Sequence, residues 1–448
     1  MAKVLILGAG LVARPIVRHL LESGIELTLA SNTPDHALEI LEGHPLGKSV
    51  YWTDDNEVLL NEMVMNNDLV VSLLPYVFHV KVAKCCIAHQ KNMVTTSYVS
   101  PEMKALDHEA KQAGIIILNE LGLDPGLDHM GAKRIIDYVH EKGGKIEEFY
   151  SFCGALAAPE ALNNPFNYRF SWSPRGVVLA AKNGAKYLEN GQITTIPEID
   201  LFKDVRLIDF PGIGEVEVYP NRDSLSYVDL YGIAEVKSLM RGTIRFRGWC
   251  EIWDIIKRAN LLSAEEMDVS DKTYAVFMSE MMNSGLKTDI RHRFANAMNI
   301  AVDSKIVEAL DWLGLFSEKL IRKQKTTPFD VLADLMIPRM LLGKEERDMV
   351  LMIHLFQVSY RDGSREVIRS KMLDYGIKGG DTSIARTVSL PAAIGVKMIL
   401  ENKIKAKGVH IPVIKEIYDP ILTELKDLHI EMEEEFGLRD LKIEKAMV

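Results

Sequence analysis

Short runs of hydrophobic residues alternate with amphipathic segments along the N-terminal quarter of the chain. The first run, residues 4–7, breaks into Gly8-Ala9-Gly10 and resumes with apolar residues three and four positions apart, which is the order of a strand, a tight turn and a helix. Runs of the same β type recur at residues 26–30, 49–51, 68–72, 93–96 and 115–118. Because strands and helices alternate, the pattern predicts an α/β domain with a parallel, doubly wound sheet of the Rossmann type.

The pattern changes at residues 119–128, where Gly and Pro indicate a domain boundary and Asp128 is expected to cap a helix that runs through Val139. Further β-type runs lie at residues 147–155, 205–210 and 215–219, and two alternating runs, 350–360 and 367–372, are joined by Asp362-Gly363. Asp-Gly between two such runs predicts a β-hairpin. Residues 249–343 have helical spacing almost throughout, and Pro391 is expected to open a further helix of small and apolar residues.

These segments predict three structural parts. Residues 1–125 form the dinucleotide-binding domain, joined by a C-terminal segment of about residues 390–448 that packs back against it. Residues 126–248 and 344–389 form a second, α+β domain with mainly antiparallel strands. Residues 249–343 form a helical insertion in that second domain.

The glycine-rich turn after the first strand carries the first candidate chemistry. Gly8 permits a tight turn, Gly10 leaves room for the backbone to approach a pyrophosphate, and Ala13 is small enough for close packing of helix and strand. The following helix N-terminus offers free N–H groups to phosphate oxygens. A Gly-x-Gly-x-x-Ala motif in this position predicts a dinucleotide site, and the alternative is a glycine-rich turn without a ligand.

The residues that follow the second strand decide which dinucleotide is expected. Ser31, Asn32 and Thr33 stand where NAD-binding sites usually place an Asp or Glu against the ribose 2′-hydroxyl. Because no carboxylate stands there, NADP(H) is predicted and NAD(H) is the less favoured cofactor. Asp54, after the third strand, is a candidate for the adenine side, although a solvated acidic turn explains it equally well.

Candidate residues also follow the fourth and fifth strands, which end in Leu74-Pro75-Tyr76 and Ser97-Tyr98. Since ligands bind at the carboxyl ends of parallel strands, these residues are expected beside the nicotinamide. The simpler interpretation of Tyr76 and Tyr98 is two ordinary half-buried tyrosines.

Composition limits the possible partners. The chain has 448 residues and a net charge of −10, which argues against a nucleic-acid partner because phosphate backbones are bound by dense Lys/Arg surfaces. No apolar run approaches the roughly 20 residues that span a bilayer, and a signal-peptide pattern is missing from the N-terminus. The four cysteines form neither a disulfide framework nor a Cys-x-x-Cys metal pair, so no metal is expected. A cytoplasmic protein without a membrane partner is predicted.

Six segments together resemble one known family over nearly the full length of the chain. They are residues 72–76 (SLLPY), 94–101 (VTTSYVSP), 119–129 (NELGLDPGLDH), 170–176 (FSWSPRG), 219–224 (YPNRDS) and 241–245 (RGTIR). The chain resembles the saccharopine dehydrogenase family of the L-glutamate-forming type, also called saccharopine reductases. The resemblance implies a reversible reaction in which L-glutamate condenses with 2-aminoadipate 6-semialdehyde and NADPH reduces the imine to L-saccharopine, in lysine biosynthesis or, in reverse, lysine degradation. It also implies a homodimer whose α+β domain binds substrate and dimerises.

The family's binding positions carry over onto matching residues of this chain. For NADP they fall on Leu11, Val12, Ser31, Asn32, Thr33 and Trp172. For saccharopine they fall on Tyr76, Ser97, Tyr98, Asp124, Arg222, Thr243, Ile244 and Arg245. The chain has Asn32 where the fungal pattern has an arginine, and the loop at residues 154–159 is less glycine-rich than in the family. Two alternatives remain: a polyamine enzyme of the carboxynorspermidine dehydrogenase kind, and a non-catalytic NADP-binding regulatory protein.

Two residues are candidates for moving protons during imine chemistry. Asp124 lies in the Gly/Pro-bounded loop at the domain boundary, and Cys153 lies at a strand end. The alternatives are an Asx-turn residue for Asp124 and a small buried hydrophobe for Cys153.

Two arginines are candidates for holding the carboxylates of a substrate. Alternation places Arg245 opposite Ile244 and Phe246, turned away from the core and free to meet a ligand. Arg222 lies in a turn, where it could instead be a solvated charge paired with Asp223.

Overall fold

The computed structural model describes residues 1–282, 289–441 and 443–445, and its N-terminal part alternates strands and helices as predicted. The elements of this part are β1 (Lys3–Leu7), α1 (Ala13–Glu22), β2 (Glu26–Ser31), α2 (Pro34–Leu41), β3 (Gly47–Tyr51), α3 (Glu57–Met65), β4 (Leu69–Ser72), α4 (His79–Ala88), β5 (Asn92–Thr95), α5 (Pro101–Ala105), α6 (Asp107–Gln112) and β6 (Ile116–Leu118).

The rest of the chain continues from the domain boundary. Its elements up to the insertion are α7 (Leu127–Glu141), β7 (Lys145–Ala157), α8 (Pro174–Ala180), β8 (Ala185–Glu189), β9 (Gln192–Ile196), β10 (Arg206–Phe210), β11 (Gly214–Pro220), β12 (Arg222–Asp223), α9 (Ser226–Tyr231) and β13 (Ser238–Arg245). The insertion contains α10 (Trp249–Arg258), β14 (Met267–Asp268), α11 (Tyr274–Met281), α12 (Ile290–Met298), α13 (Lys305–Leu313), β15 (Lys325–Thr326) and α14 (Pro328–Met340). The last elements are β16 (Asp348–Ser359), β17 (Arg365–Tyr375), α15 (Ser383–Leu400), β18 (Gly408–His410), α16 (Lys415–Asp427), β19 (Glu433–Leu438) and β20 (Glu444–Lys445).

The N-terminal strands form one parallel sheet in the order β3-β2-β1-β4-β5-β6-β18. All of its strand pairs are parallel, so the predicted doubly wound sheet is confirmed. The strand order reverses between β1 and β4. Ligands of such sheets bind at this crevice, beyond the carboxyl ends of the strands.

The second large sheet is mixed and has the order β19-β17-β16-β7-β13-β11-β10-β20, with β8 beside β13. The predicted hairpin is confirmed, and it is formed by β16 and β17. Gly363 in its turn has a φ of 86°, a backbone conformation that residues with a side chain rarely adopt. The two faces of this sheet contribute to different apolar clusters. Cys153 belongs to a cluster shared with the nucleotide-binding domain, whereas Phe152, on the opposite face, belongs to the largest cluster of the second domain, which also includes residues of the helical insertion.

The expected helix start at Pro391 is wrong, because α15 begins at Ser383 and contains Pro391 in its interior. The buried carboxylate of Asp348 accepts hydrogen bonds from the N–H groups of Ser383 (2.6 Å) and Ile384 (3.0 Å), which satisfies donors that a helix start leaves free. Thr382 caps the same turn. These anchors maintain a helix around the proline.

Helix α15 is also the one described helix that is long and apolar enough to cross a membrane by length and composition. Its mean hydropathy is 1.3, and 78% of it is buried inside the fold, where it packs against α1.

The C-terminal segment divides between the two sheets. β18 extends the parallel sheet beside β6, whereas β19 pairs with β17 and β20 with β10 at the two edges of the mixed sheet. We therefore propose the three-part division of the sequence with β19 and β20 reassigned to the α+β domain.

Candidate active site

The turn after β1 lies at the crevice of the parallel sheet. Gly8 has a φ of 105°, and a Cβ placed on it would lie 3.0 Å from the carbonyl oxygen of Leu73, so a side chain would clash there. Gly10 is open: a Cβ placed on it would have no atom within 4 Å. Ala13 begins α1 and is fully buried, while Leu11 is 62% exposed. The open cradle beside a helix N-terminus suits a phosphate.

The first turn of α1 has no acidic residue and Val12 is its N-cap, so the partial positive charge of the helix end is not offset locally. The residues after β2 are likewise uncharged. Ser31 Oγ lies 2.9 Å from Thr33 Oγ1 and accepts the Thr33 N–H at 3.1 Å, while Asn32 is exposed. The Asp54 side chain is exposed in the turn after β3, and its carbonyl accepts a hydrogen bond from Lys81 Nζ at 2.7 Å.

A buried histidine joins the ends of β4 and β5. His79 Nδ1 lies 2.8 Å from Ser72 Oγ, and its Nε2 lies 2.8 Å from Ser97 Oγ. Burial lowers the pKa of His79 to about 4, so the imidazole is neutral and fixes the position of Ser97. On the same edge Leu74 is half-buried and Tyr76 is 75% exposed.

This histidine is expected to make the protein sensitive to mild acid. Its pKa is lowered from 6.5 to about 4 in the folded state, so between these pH values the unfolded chain binds a proton that the folded protein does not. The free energy of unfolding therefore has its full value above pH 6.5 and decreases as pH falls toward 4. The loss should reach about 3 kcal/mol of unfolding free energy. Urea titrations between pH 7 and pH 4 measure it, and His79→Gln should reduce the pH dependence by this amount, leaving the part that comes from the buried His354. His36→Gln, at an exposed histidine, is the control and should leave it unchanged.

Asp124 and Tyr98 meet at the junction of the two domains. The Tyr98 hydroxyl donates to Asp124 Oδ1 at 2.8 Å, and Arg241 Nη2 donates to the same carboxylate oxygen. Arg241 also donates to the Tyr98 oxygen at 3.1 Å and to Asp128 Oδ2 at 3.2 Å. The Asp124 side chain keeps 18% of its surface exposed, whereas that of Arg241 keeps 3%. Asp124 is thus a positioned carboxylate at the edge of the accessible space.

A second layer of polar contacts supports this group from behind. Asp128 lies in the first turn of α7 instead of capping it, and its Oδ1 accepts the Gly126 N–H at 2.6 Å. His129 bonds to Glu120 through Nε2 at 2.6 Å and to the Tyr231 hydroxyl through Nδ1 at 2.8 Å. Burial opposes protonation of His129, but Asp128 and Glu120 together raise its pKa above the ordinary value. The layer holds α7 and its preceding loop in one arrangement.

Cys153 and Thr243 are paired across β7 and β13 on the face that looks toward the nucleotide-binding domain. Burial raises the pKa of the Cys153 thiol well above its ordinary value, so this group is a neutral thiol. Ile244 points to the opposite face and is fully buried.

The expected exposure of Arg245 is wrong, because its side chain is buried with 4% of the residue exposed. Its guanidinium lies 5.1 Å from the Tyr168 ring centre and 5.3 Å from that of Trp249. The physical reason is that both faces of β13 are covered: Trp249, at the start of α10, and Tyr168 lie against the guanidinium on the side that alternation left open. Its Nη1 donates to the Ile244 carbonyl at 2.8 Å, and none of the described carboxylates forms an ion pair with it.

Three buried polar atoms around Arg245 have no hydrogen-bond partner in the part of the chain that the structure describes. They are Arg245 Nε, the Tyr168 hydroxyl and Trp249 Nε1. Donors buried without an acceptor are costly, at about 1–3 kcal/mol each, and each calls for an explanation. We call this group the arginine pocket.

Arg222 is exposed, with its guanidinium 5.6 Å from the Tyr98 ring centre and a φ of 53°. The neighbouring Asp223 accepts the Leu225 N–H at 2.8 Å instead of pairing with Arg222. Trp172 is half-buried and contacts the apolar clusters of both domains.

The structure brings Tyr98, Asp124 and Arg222 together, and it places Cys153 and Thr243 on the sheet face beside them. Sequence reasoning missed Arg241, although it lies two residues before Thr243 and alternation places both on one face. It also missed His79, whose role depends on two separate strand ends. No local signal in the sequence points to that histidine.

Two family models match the chain. The model of the saccharopine dehydrogenase NADP binding domain matches residues 4–118, and that of the saccharopine dehydrogenase C-terminal domain matches residues 122–430. The NADP-binding prediction is therefore confirmed at the level of the domain.

Similar proteins and one solved structure agree with this. The chain is 38% identical over 435 residues to saccharopine dehydrogenase [NADP(+), L-glutamate-forming] of Pyricularia oryzae, covering 95% of this chain and 96% of that protein. It is also 36% identical to the mitochondrial alpha-aminoadipic semialdehyde synthase of Bos taurus, covering 95% of this chain and 46% of that protein. The structure of apo, histidine-tagged saccharopine dehydrogenase (L-Glu forming) from Saccharomyces cerevisiae matches with a TM-score of 0.90 at 35% identity, covering 97% of this chain and all of that one.

Proposed function

Because the chain belongs to the saccharopine dehydrogenase family, we propose that it condenses L-glutamate with 2-aminoadipate 6-semialdehyde and reduces the imine to L-saccharopine, reversibly and with NADPH. It is an NADP-dependent oxidoreductase of the L-glutamate-forming type. In the reductive direction the amine and the aldehyde lose one water, and one hydride and one proton enter the product.

The residues around the crevice fit NADP(H). The Gly8 turn and the open Gly10 leave space for a pyrophosphate, and α1 presents its N–H groups to it. Leu11 lies in the turn before that helix, Val12 is its N-cap and Ala13 is its first residue. Trp172 and Leu74 are proposed to line the nicotinamide end. When bound, the cofactor supplies or accepts the hydride. The turn and the helix N-terminus position the phosphates, and residues 31–33, which are expected to face the 2′-phosphate, include no carboxylate.

The absence of acid at residues 31–33 predicts a cofactor preference. NADPH should bind more tightly than NADH, and Asn32→Asp should reverse the order because a carboxylate repels the 2′-phosphate and accepts a bond from the 2′-hydroxyl. Dissociation constants from fluorescence titration test this, with the neutral Asn32→Ser variant as the control. Equal affinities for NADPH and NADH in the unaltered protein, or an unchanged preference in Asn32→Asp, would show that residues 31–33 do not determine the cofactor preference.

The observation that carries the proposal is the arginine pocket. Burying the Arg245 guanidinium beside donors that have no partner costs free energy, and a bound anion would offset that cost. A carboxylate suits this role because it can accept two parallel hydrogen bonds from an arginine. Saccharopine carries three carboxylates. We propose that Arg245 and Arg222 each hold one of them, with Tyr98, Ser97, Tyr76 and Thr243 lining the substrate between these two arginines. The expected substrate contact of Ile244 is limited to its backbone, because its side chain is fully buried on the other face of β13.

Imine formation and hydrolysis require a group that gives and takes protons beside the reacting nitrogen. Asp124 meets this need, since its carboxylate is held by Tyr98 and Arg241 yet remains partly accessible. Cys153 is a neutral thiol next to it, so we assign it a supporting position and leave the proton transfer to Asp124. Asp54 is proposed to line the adenine side.

The oligomer and the compartment belong to the same proposal. The acidic composition, with a net charge of −10, favours a small-molecule substrate over a nucleic acid. We propose a cytoplasmic homodimer that has no membrane partner. Sedimentation equilibrium would distinguish a dimer from a monomer.

One assay separates this function from its main alternative. NADPH oxidation is followed with L-glutamate plus 2-aminoadipate 6-semialdehyde, and separately with diaminopropane plus aspartate semialdehyde. The proposal requires turnover with the first pair and little with the second. The opposite preference would assign the chain to polyamine synthesis, and no turnover with either pair while NADPH still binds would indicate a regulatory protein.

A further inference from the structure

A row of polar side chains crosses the mixed sheet beneath α7. Cross-strand pairing aligns Arg241 with Ser151, Ser151 with His354, His354 with Ser370, and Ser370 with Glu434, on β13, β7, β16, β17 and β19 in turn. Directly paired residues point to the same face of a sheet, with Cβ atoms about 4.5–5.5 Å apart. We call this line of five residues the polar row. It runs from the Asp124–Arg241 pair to the outer edge of the sheet.

The rows on either side of it are almost entirely apolar. On one side Phe149 pairs with Phe356 and Phe356 with Ile368, and on the other Met352 pairs with Met372. These residues are buried. Five polar residues in line between such neighbours are a costly arrangement unless their polar atoms are satisfied.

The middle of the polar row holds buried atoms without partners. His354 and Ser370 are both fully buried, and neither His354 Nδ1, His354 Nε2 nor Ser370 Oγ has a hydrogen-bond partner among the described residues. Only a glycine in α7 fits above the imidazole: a Cβ on Gly131 would lie 3.2 Å from Met432 Cε and 3.4 Å from His354 Cε1. Buried polar atoms of this kind are usually satisfied by ordered water, which bridges several of them at once.

A cavity adjoins the outer end of the polar row. Its volume is about 310 Å³, and its lining includes Arg134, Met372, Met432 and Glu434. Arg134 Nη2 donates to Glu434 Oε1, and Arg134 Nε has no partner among the described residues. A liquid water occupies about 30 Å³, so the cavity has room for several.

We propose that the polar row is a hydrated proton path between Asp124 and this cavity, with His354 as the residue that positions its waters. The path rests on the proposed function, because the reductive reaction takes up one proton per turnover and the reverse reaction releases one. Substrate and cofactor fill the front of the crevice, so a rear path lets Asp124 exchange its proton while they are bound.

The proton balance is simple. A proton enters from cavity water, each water of the path accepts one on its outer side and gives one up on its inner side, and the Asp124 carboxylate takes the last. The neutral imidazole offers one donor and one acceptor nitrogen to these waters, and its own protonation state does not change. Burial keeps His354 neutral, and the charged groups that face it are Asp124, Arg241, His129 and Arg134.

The test compares two replacements of His354. His354→Phe keeps an aromatic ring, somewhat larger than the imidazole, and removes both nitrogens, whereas His354→Gln keeps one donor and one acceptor. His354→Phe should lower kcat roughly tenfold and increase the solvent deuterium isotope effect on kcat, with the KM for saccharopine and the Kd for NADPH unchanged. His354→Gln should retain kcat within about twofold, since it can still hold the waters. Phe356→Leu, in the adjacent apolar row, is the packing control and should change neither kcat nor the isotope effect.

Unchanged kcat and isotope effect in His354→Phe would overturn the path. Equal losses in the Phe and Gln variants, accompanied by a lower Tm, would also overturn it and assign His354 to packing. If His354→Phe does not fold, Ser370→Ala takes its place, with the same rise in the isotope effect expected. A crystal structure of the unaltered protein separates this inference from the proposed function: ordered waters bonded to His354 and Ser370 support the path even if saccharopine is not the substrate, and a dry, closed gap refutes it.

Discussion

Replacing Asp124 by asparagine is expected to lower kcat by at least about a hundredfold, because a positioned general acid–base group contributes roughly 10²–10⁴ to the rate. The amide has nearly the same shape and can still accept bonds from Tyr98 and Arg241, the two partners that hold the carboxylate. Arg241 also keeps its contact with Asp128, so the junction should remain folded. Steady-state kinetics in both directions measure the effect.

The control for Asp124→Asn is Asp223→Asn, an exposed carboxylate near Arg222 that accepts a backbone N–H from Leu225. Its amide can accept the same bond, and turnover should stay normal. A fall in kcat with little change in KM supports proton transfer by Asp124. Normal kcat with a raised KM would instead assign Asp124 to substrate binding alone.

Replacing Arg245 by lysine is expected to weaken saccharopine binding tenfold or more while the affinity for NADPH is maintained. Lysine keeps the charge but loses the planar fork that holds a carboxylate with two bonds, and its ammonium cannot lie between Tyr168 and Trp249 in the same way. Each charge-assisted bond to a carboxylate contributes about 1.5–3 kcal/mol. Arg222→Lys should give a similar loss.

Arg247→Lys is the matched control for both arginine variants. Arg247 lies two residues beyond Arg245, but its side chain is 66% exposed and pairs with Glu215 at the surface. It should bind saccharopine normally. If Arg245→Lys and Arg222→Lys also bind it normally, the arginine pocket has a structural role and the carboxylate assignment fails.

The nucleotide-binding domain and the hairpin of the second domain were predictable because their signals are local. A buried parallel strand is a short apolar run, and the Gly8 turn and the Asp362-Gly363 hairpin each depend on the conformations that a few adjacent residues allow. The start of α15 was not predictable, since it depends on Asp348, which lies 35 residues before Ser383 in the chain. Capping by a residue so far away leaves no pattern near the helix.

The sequence predicted several residues of the candidate site, but it did not predict which other residues pack around them. Alternation gave the face of Arg245 relative to Ile244, but it gave no information on what covers that face, which is decided by the packing of α10. The polar row could not be found at all, because Ser151, His354 and Ser370 come from three separate strands and meet only through the register of the sheet.

The most direct test of the central claim identifies the products formed from L-saccharopine and NADP⁺. Cleavage on the lysine side of the bridging nitrogen yields L-glutamate and 2-aminoadipate 6-semialdehyde, and cleavage on the other side yields L-lysine and 2-oxoglutarate. Mass spectrometry of the reaction mixture should detect glutamate and the semialdehyde in amounts equal to the NADPH formed. Lysine and 2-oxoglutarate as products, or saccharopine left intact by a protein that binds NADP⁺, would contradict the proposed function.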